Sequence, residues 1–182
     1  MIIFDLDGTL ANCEHRRHFV DPEKNFSLYF LPPGNTKNNM PSGWYTSNHE
    51  RWKPDWKAFY EACDKDDPIE PVINLFHDLN GMEREVNIWS GRCESTREKT
   101  YQWLLDHVEI KYITRFCPEK HLKMRPIGDY TPDDQLKERW LDEALAEGKK
   151  IEFVFDDRKK VVRMWRRRGI FVFNCCQHDE EF

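Results

Sequence analysis

The sequence predicts an α/β protein built on a parallel sheet with helices packed on both faces. Three observations lead there. Short runs rich in β-branched and aromatic residues alternate with longer amphipathic stretches along the chain. Those runs are strand-length, too short for core helices. The polar residues that end them gather at their carboxyl ends, where an open parallel sheet places its ligand site.

The elements follow in chain order. "MIIFDL" (residues 1–6) is apolar up to Asp5 and reads as a buried strand. In "PIEPVINLFHDLNG" (68–81), Val72, Leu75, Phe76 and Leu79 share one helical face, and Gly81 stands where a C-cap glycine belongs. "EVNIWS" (85–90) is the second strand and "TREKTYQWLLDHV" (96–108) the second helix. "TPDDQLKERWLDEALAEGKK" (131–150) is helical, with Pro132 near its start and Gly148 closing it. "KIEFVFDD" (150–157) returns as a strand, "DRKKVVRMWRRRG" (157–169) as a helix ended by Gly169, and "GIFVFNCC" (169–176) as the last strand.

Composition excludes several classes. A chain of 182 residues suits a single domain, 1–182, carrying an inserted loop or small cap-like segment at 12–54, and folding at that size buries roughly 70% of the unfolded surface. With 39% hydrophobic and 34% charged residues it is no disordered chain. No apolar run approaches the ~18 residues of a membrane span, and no secretory leader pattern opens it, so a cytoplasmic setting and no membrane partner are expected. The six cysteines form no CxxC pair, which predicts reduced thiols; His15 and His18 in "HRRH" lack further ligands nearby, which argues against zinc. A net charge of -5 excludes general coating of nucleic acid but permits a local basic patch.

The strand ends carry the chemistry. Asp5 and Asp7 end the first strand, Ser90, Gly91 and Arg92 the second, and Asp156 with Asp157 the third. A lone Asp after a strand commonly just caps the next helix. Two pairs of them beside a serine and a lysine would repel one another unless a cation joined them, and hard oxygen ligands suit Mg²⁺.

These residues resemble the four motifs of the haloacid dehalogenase superfamily. "DLDGT" matches the DxDGT motif, Ser90 in "WSGR" the second, Lys137 in "DDQLKERW" the third, and Asp156 with Asp157 in "FDDR" the fourth. The resemblance implies a three-layer Rossmann-like fold with an insertion after the first motif, and Mg²⁺-dependent phosphoryl transfer through an aspartyl-phosphate. By it, Asp5 is the nucleophile and Asp7 the general acid and base. Ser90 and Lys137 hold the phosphoryl group, with Thr9 and Gly91 beside it. Mg²⁺ takes Asp5, the Asp7 backbone carbonyl and Asp156, while Asp157 is either a further ligand or an orienter of Lys137.

A narrower resemblance, carried by "CDKDDPIEPVINL", "WSGR", "KMRPIGDYTPDDQLKERW" and "FDDRKKVVRMWRRRGIFVF", is to the 3′-phosphatase domain of bacteriophage-type polynucleotide kinase/phosphatases. It covers residues 1–11 and most of 55–182, but not 12–54. It implies that Arg92, Arg125, Asp129 and Arg158 join the site, holding substrate or bracing the catalytic shell; each arginine has a plainer alternative as the partner of a structural carboxylate. No GxxxxGK[ST] loop occurs and the first strand opens the sequence, so phosphate removal without kinase activity is expected.

The expected activity is that of a Mg²⁺-dependent phosphomonoesterase acting on phosphorylated nucleic-acid ends, 3′-phosphate preferred, or on nucleotides. A mononucleotide phosphatase and a catalytically weak nucleic-acid-binding module are the alternatives. Two regions bear on the choice. Arg158, Lys159, Lys160, Arg163, Arg166, Arg167 and Arg168 flank an apolar stripe of Val161, Val162 and Trp165, a face that either follows a phosphodiester backbone or is simply solvated. Trp44, Tyr45, Trp52 and Trp56 in the 12–54 region and just beyond it either stack on a base or anchor the loop to the core.

Overall fold

Phe4, Ile88 and Phe155 lie side by side on three neighbouring parallel strands, and this register sets where every strand-end residue falls. The protein is described by a computed structural model over residues 1–24, 52–82, 84–108, 110 and 116–176. The strands are β1 (Ile2–Phe4), β2 (Ala11–Asn12), β3 (Asp67–Pro68), β4 (Val86–Cys93), β5 (Leu122–Arg125), β6 (Phe153–Asp156) and β7 (Val172–Asn174). The α-helices are α1 (Trp56–Glu61), α2 (Glu70–Gly81), α3 (Arg97–His107), α4 (Pro118–His121), α5 (Asp133–Ala146) and α6 (Lys159–Arg167). The main sheet is all parallel in the order β5-β4-β1-β6-β7, while β2 and β3 form a small antiparallel pair.

Alternation along the strands sorts the core into two layers. Ile2, Phe4, Ile88, Leu122 and Phe155 point to the face covered by Ile73 and Phe76 of α2 and Trp103 and Leu104 of α3. Ile3, Trp89 and Val154 point to the opposite face, against Leu136, Trp140 and Leu141 of α5 and Val161, Val162 and Trp165 of α6. Each such side chain contributes roughly 1.5–3 kcal/mol on burial. The parallel sheet with helices on both faces is therefore as expected.

Three details differ from the sequence reading. Leu75 faces solvent and Ile73 takes its place in the core, because α2 meets the sheet along Val72, Ile73, Phe76 and Leu79. Gly81 closes the last turn of α2 rather than capping it, and Met82 is the cap. Ser90, Gly91 and Arg92 do not end their strand: β4 runs on to Cys93 through an irregularity in its pairing with β5 between Ser90 and Cys93, which re-aims Arg92. The edge strand β5 has no clear signal in "LKMR", which is half polar. The β2–β3 ribbon, extended by the Ile69 N–H bond to the Leu10 carbonyl (2.8 Å), ties Asp66 to the loop that carries Asp7.

Candidate active site

The carboxyl ends of β1 and β6 bring three acids together. Asp5, Asp156 and Asp157 offer oxygens that all lie within 4.8 Å of one another, the one such group among the described residues. Lys137, projecting from α5, donates to Asp156 Oδ2 at 2.8 Å and sits 2.9 Å from Asp5 Oδ1. Burial alone would lower the Lys137 pKa, but the Asp156 and Asp5 charges outweigh it and hold the ammonium charged. Burial pushes Asp5 well above the usual carboxylate range despite Lys137, with Asp156 and Asp157 adding repulsion. Burial and the neighbouring Asp156 charge push Asp157 up to about 6.

Fully ionised, the three carboxylates against one ammonium would carry a net charge of -2, which a divalent ion would cancel while drawing Asp5 and Asp157 back toward the ionised form. The oxygen-only donor set suits Mg²⁺, so the residues fit the cation that the motifs imply. The approach is tight: Gly8, at φ +84°, passes so close to Asp157 that a Cβ there would stand 2.1 Å from its Oδ2.

Asp7 is held quite differently. Arg92 donates to its Oδ1 through Nε (2.8 Å) and Nη2 (2.6 Å), and Arg16 donates to the same oxygen through Nη2 at 2.6 Å. Burial alone would raise the Asp7 pKa; the two guanidinium groups win and set it at about 2. Both arginines are completely buried and both also grip Asp66. The result is a closed four-membered cluster of two acids and two arginines, with Arg16 also over the Phe59 ring at 4.1 Å. None of the three bonds to Asp7 uses Oδ2, and Asp7 borders the open cavity.

The structure places the remaining predicted site residues around this centre, with Gly91, Arg125 and Arg158 bordering the cavity. Arg92 faces Asp7, Asp66 and Thr100 rather than open space. Arg125 spends its donors on the carbonyls of Gly91, Asp129 and Thr131 and on Asp133, so it pins the turn before α5. Thr9 and Ser90 are fully buried and do not line the cavity; the Ser90 Oγ accepts the Arg92 N–H at 3.2 Å. Arg158 stays half-exposed at the cavity, paired with Asp133, while Gly91 borders the cavity and passes close to Asp133. Asp129 lies on the rim, bound to the Thr131 N–H and Arg139.

Sequence reasoning missed Arg16, Asp66 and Asp133. His15 of "HRRH" pairs with Asp66 at 2.9 Å, and none of the six cysteines forms a disulfide. Trp44 and Tyr45 lie outside the described residues; Trp56 and Tyr60 line one wall of a cavity of about 740 Å³, and Lys159, Lys160 and Arg163 line another. At the far end of α6, Arg167 pairs with Glu138, and Arg168 with Glu138 and Asp142, of α5. No helix among the described residues is long and apolar enough to cross a membrane.

The three-layer fold with an acid triad at its strand ends defines a phosphatase of the haloacid dehalogenase class, whose Mg²⁺-dependent reaction uses an aspartate nucleophile. Within that class, the chain belongs to the family of polynucleotide kinase PNKP phosphatase domains, which matches residues 45–180. A protein of Autographa californica nuclear polyhedrosis virus described as a bifunctional polynucleotide kinase/RNA ligase is 29% identical over 134 residues, 71% of this chain and 18% of its own. The fold is shared with a chain of the Pnkp1/Rnl/Hen1 complex (24% identity, TM-score 0.62, covering 98% of this chain and 46% of that one). It is shared also with a haloacid dehalogenase-like hydrolase from Streptococcus pneumoniae (14% identity, TM-score 0.54, covering 95% and 82%). This chain thus spans under half the length of the viral relative and of the chain in the complex.

Proposed function

We propose that the protein removes a terminal phosphate, preferentially a 3′-phosphate, from nucleic-acid ends. The observation that carries the chemical part is Asp5 set beside Lys137 and within 4.8 Å of two further acids, on a cavity bordered also by Arg158, Lys160 and Arg163. The family match to polynucleotide kinase phosphatase domains supports the substrate class.

The residues divide the work as follows. Asp5 attacks phosphorus through a carboxylate oxygen; the P–O bond to the leaving group breaks and an aspartyl-phosphate forms. An approach of carboxylate to dianion costs roughly 4 kcal/mol per unit charge pair at ~4 Å and an effective dielectric near 20. Asp5, Asp156 and Asp157, with the Asp7 backbone carbonyl that the motif implies, would hold Mg²⁺, which when bound would supply positive charge to offset this. Lys137 adds a fixed ammonium on the same side.

Asp7 gives the leaving oxygen its proton and then takes one from the water that attacks the aspartyl-phosphorus, returning Asp5 to its free form. An acid with a pKa of about 2 is ionised in the empty cavity. The negative charge of a bound phosphate works against that depression and raises the proton affinity of Asp7. With substrate bound, Asp7 takes a proton from solvent, passes it to the leaving oxygen as the P–O bond breaks, and is left as the carboxylate that serves as base.

A mononucleotide phosphatase is the second reading, favoured by a cavity of about 740 Å³, a volume that would take a single nucleotide. A bare binding module has no use for a nucleophile beside a buried lysine. Turnover of an oligonucleotide 3′-phosphate is to be compared with that of free 3′- and 5′-mononucleotides, with and without Mg²⁺. A higher kcat/KM on the oligonucleotide, lost on chelation, is expected; equal rates on all three would reject end specificity.

A further inference from the structure

The turn between β5 and α5 carries an aromatic ring that the fold does not use. Tyr130 is 92% exposed, and yet it borders the cavity that contains Asp5 and Lys137. The backbone beneath it is fixed. Arg125 donates to the Thr131 carbonyl at 2.5 Å and to that of Asp129 at 3.3 Å, the Asp129 carboxylate accepts the Thr131 N–H at 2.8 Å, and Arg139 holds Asp129 from outside. Gly128, at φ +81°, makes the turn sharp. The turn thus presents the ring rigidly at the cavity edge, where a planar ligand can lie against it without the turn having to be ordered first.

Its surroundings specify the ligand. Arg158, Lys160 and Arg163 border the same cavity beside acids such as Asp129 and Asp133; these basic groups can meet the phosphates of a strand while the Tyr130 ring offers its bases a flat apolar contact. Distance agrees. Lys137 lies four residues into α5, about 6 Å along the helix axis, and three further residues back reach Tyr130, at most ~10 Å more. The ring thus stands within roughly 16 Å of the lysine backbone, in range of the first bases of a strand whose end phosphate meets Asp5. The geometry points to Tyr130 as the platform on which a nucleobase at the phosphorylated end stacks. The inference rests on the nucleic-acid reading and adds to it the residue that reads the base.

Stacking one base on one aromatic ring is worth roughly tenfold in affinity. The test measures kcat and KM for the wild type, Tyr130→Ala, Tyr130→Phe and Tyr130→Trp. The substrates are a short single-stranded oligonucleotide 3′-phosphate, its counterpart with stable abasic analogues in the last positions, and p-nitrophenyl phosphate. Tyr130→Ala is expected to raise KM about tenfold on the base-bearing strand with kcat little changed, and to leave the other two substrates alone. Phe and Trp should preserve the wild-type KM. An unchanged KM on the base-bearing strand, or an equal rise on the abasic one, overturns the role of Tyr130 while the substrate reading stands. A wild type that handles the oligonucleotide no better than p-nitrophenyl phosphate overturns the substrate reading and the stacking role together.

Discussion

Arg16→Ala removes one of the two cations from a buried cluster that is otherwise neutral. The side chain makes four bonds: Nε to Asp66 Oδ1 at 2.7 Å, Nη2 to Asp66 Oδ2 and to Asp7 Oδ1 at 2.6 Å each, and Nη1 to the Phe59 carbonyl at 3.1 Å. Removing one partner of a buried pair costs about 3–5 kcal/mol, because it strands the other charge. Here Arg92 still holds both acids and His15 still reaches Asp66, so the lower end, about 3 kcal/mol, is expected. The deficit should depend on pH in a defined direction. Burial already raises the Asp66 pKa in the intact protein against the pull of Arg16, and loss of Arg16 raises it further. A carboxyl whose folded pKa exceeds its unfolded value opposes folding above that pKa, and the opposition disappears as pH falls through it. Urea unfolding of the variant should therefore show its largest deficit at alkaline pH and a deficit that shrinks on acidification, as Asp66 takes a proton. Adding Asp66→Asn should recover at least ~1 kcal/mol near neutral pH, since the stranded charge is then gone. A variant within ~0.5 kcal/mol of wild type at neutral pH, or a deficit that grows on acidification, would refute the charge-balance argument.

Other expectations concern the acid triad. Gly8→Ala should cost about 2 kcal/mol or more, combining the ~1–2 kcal/mol of a left-handed backbone with a Cβ driven into the Asp157 carboxylate; denaturant titration and a Mg²⁺ activation curve report both losses, and a fully active, stable variant would contradict the close approach. Mg²⁺ at ~100 times its dissociation constant should stabilise the wild type by about 2.7 kcal/mol, a Tm rise of roughly 5–10 °C at this chain length. Asp156→Asn should lose most of that rise in a thermal melt; an equal shift in both proteins would place the ion elsewhere.

The fold was legible because its strands are short apolar runs whose polar ends coincide in a parallel sheet. Asp5, Asp156 and Asp157 could be read directly, since each stands where its strand stops and acids in pairs have few structural uses. Arg16 could not be. In "HRRH" it looks like an exposed base, and only the β2–β3 ribbon, which brings Asp66 across from fifty residues away, shows why it is buried. Asp66 is lost among the charges of "DKDD" for the same reason. Arg92 and Arg125 carry the right chemistry for phosphate, but a sequence does not say which carboxylates or carbonyls reach an arginine first. Leu75 is misplaced because Ile73 and Leu75 flank the stripe of Val72, Phe76 and Leu79 on opposite sides, and the sheet's position rather than the period chooses between them.

The central claim is that Asp5 itself carries the phosphoryl group during turnover. Acid quench of the enzyme within its first turnovers, followed by borohydride reduction and peptide mass spectrometry, reads this directly, because an aspartyl-phosphate is reduced to homoserine. Homoserine at position 5, appearing only with substrate and Mg²⁺ and absent from Asp5→Asn, is the predicted result. Continued phosphate release by Asp5→Asn, or a wild type that turns over while position 5 stays aspartate throughout, would contradict it.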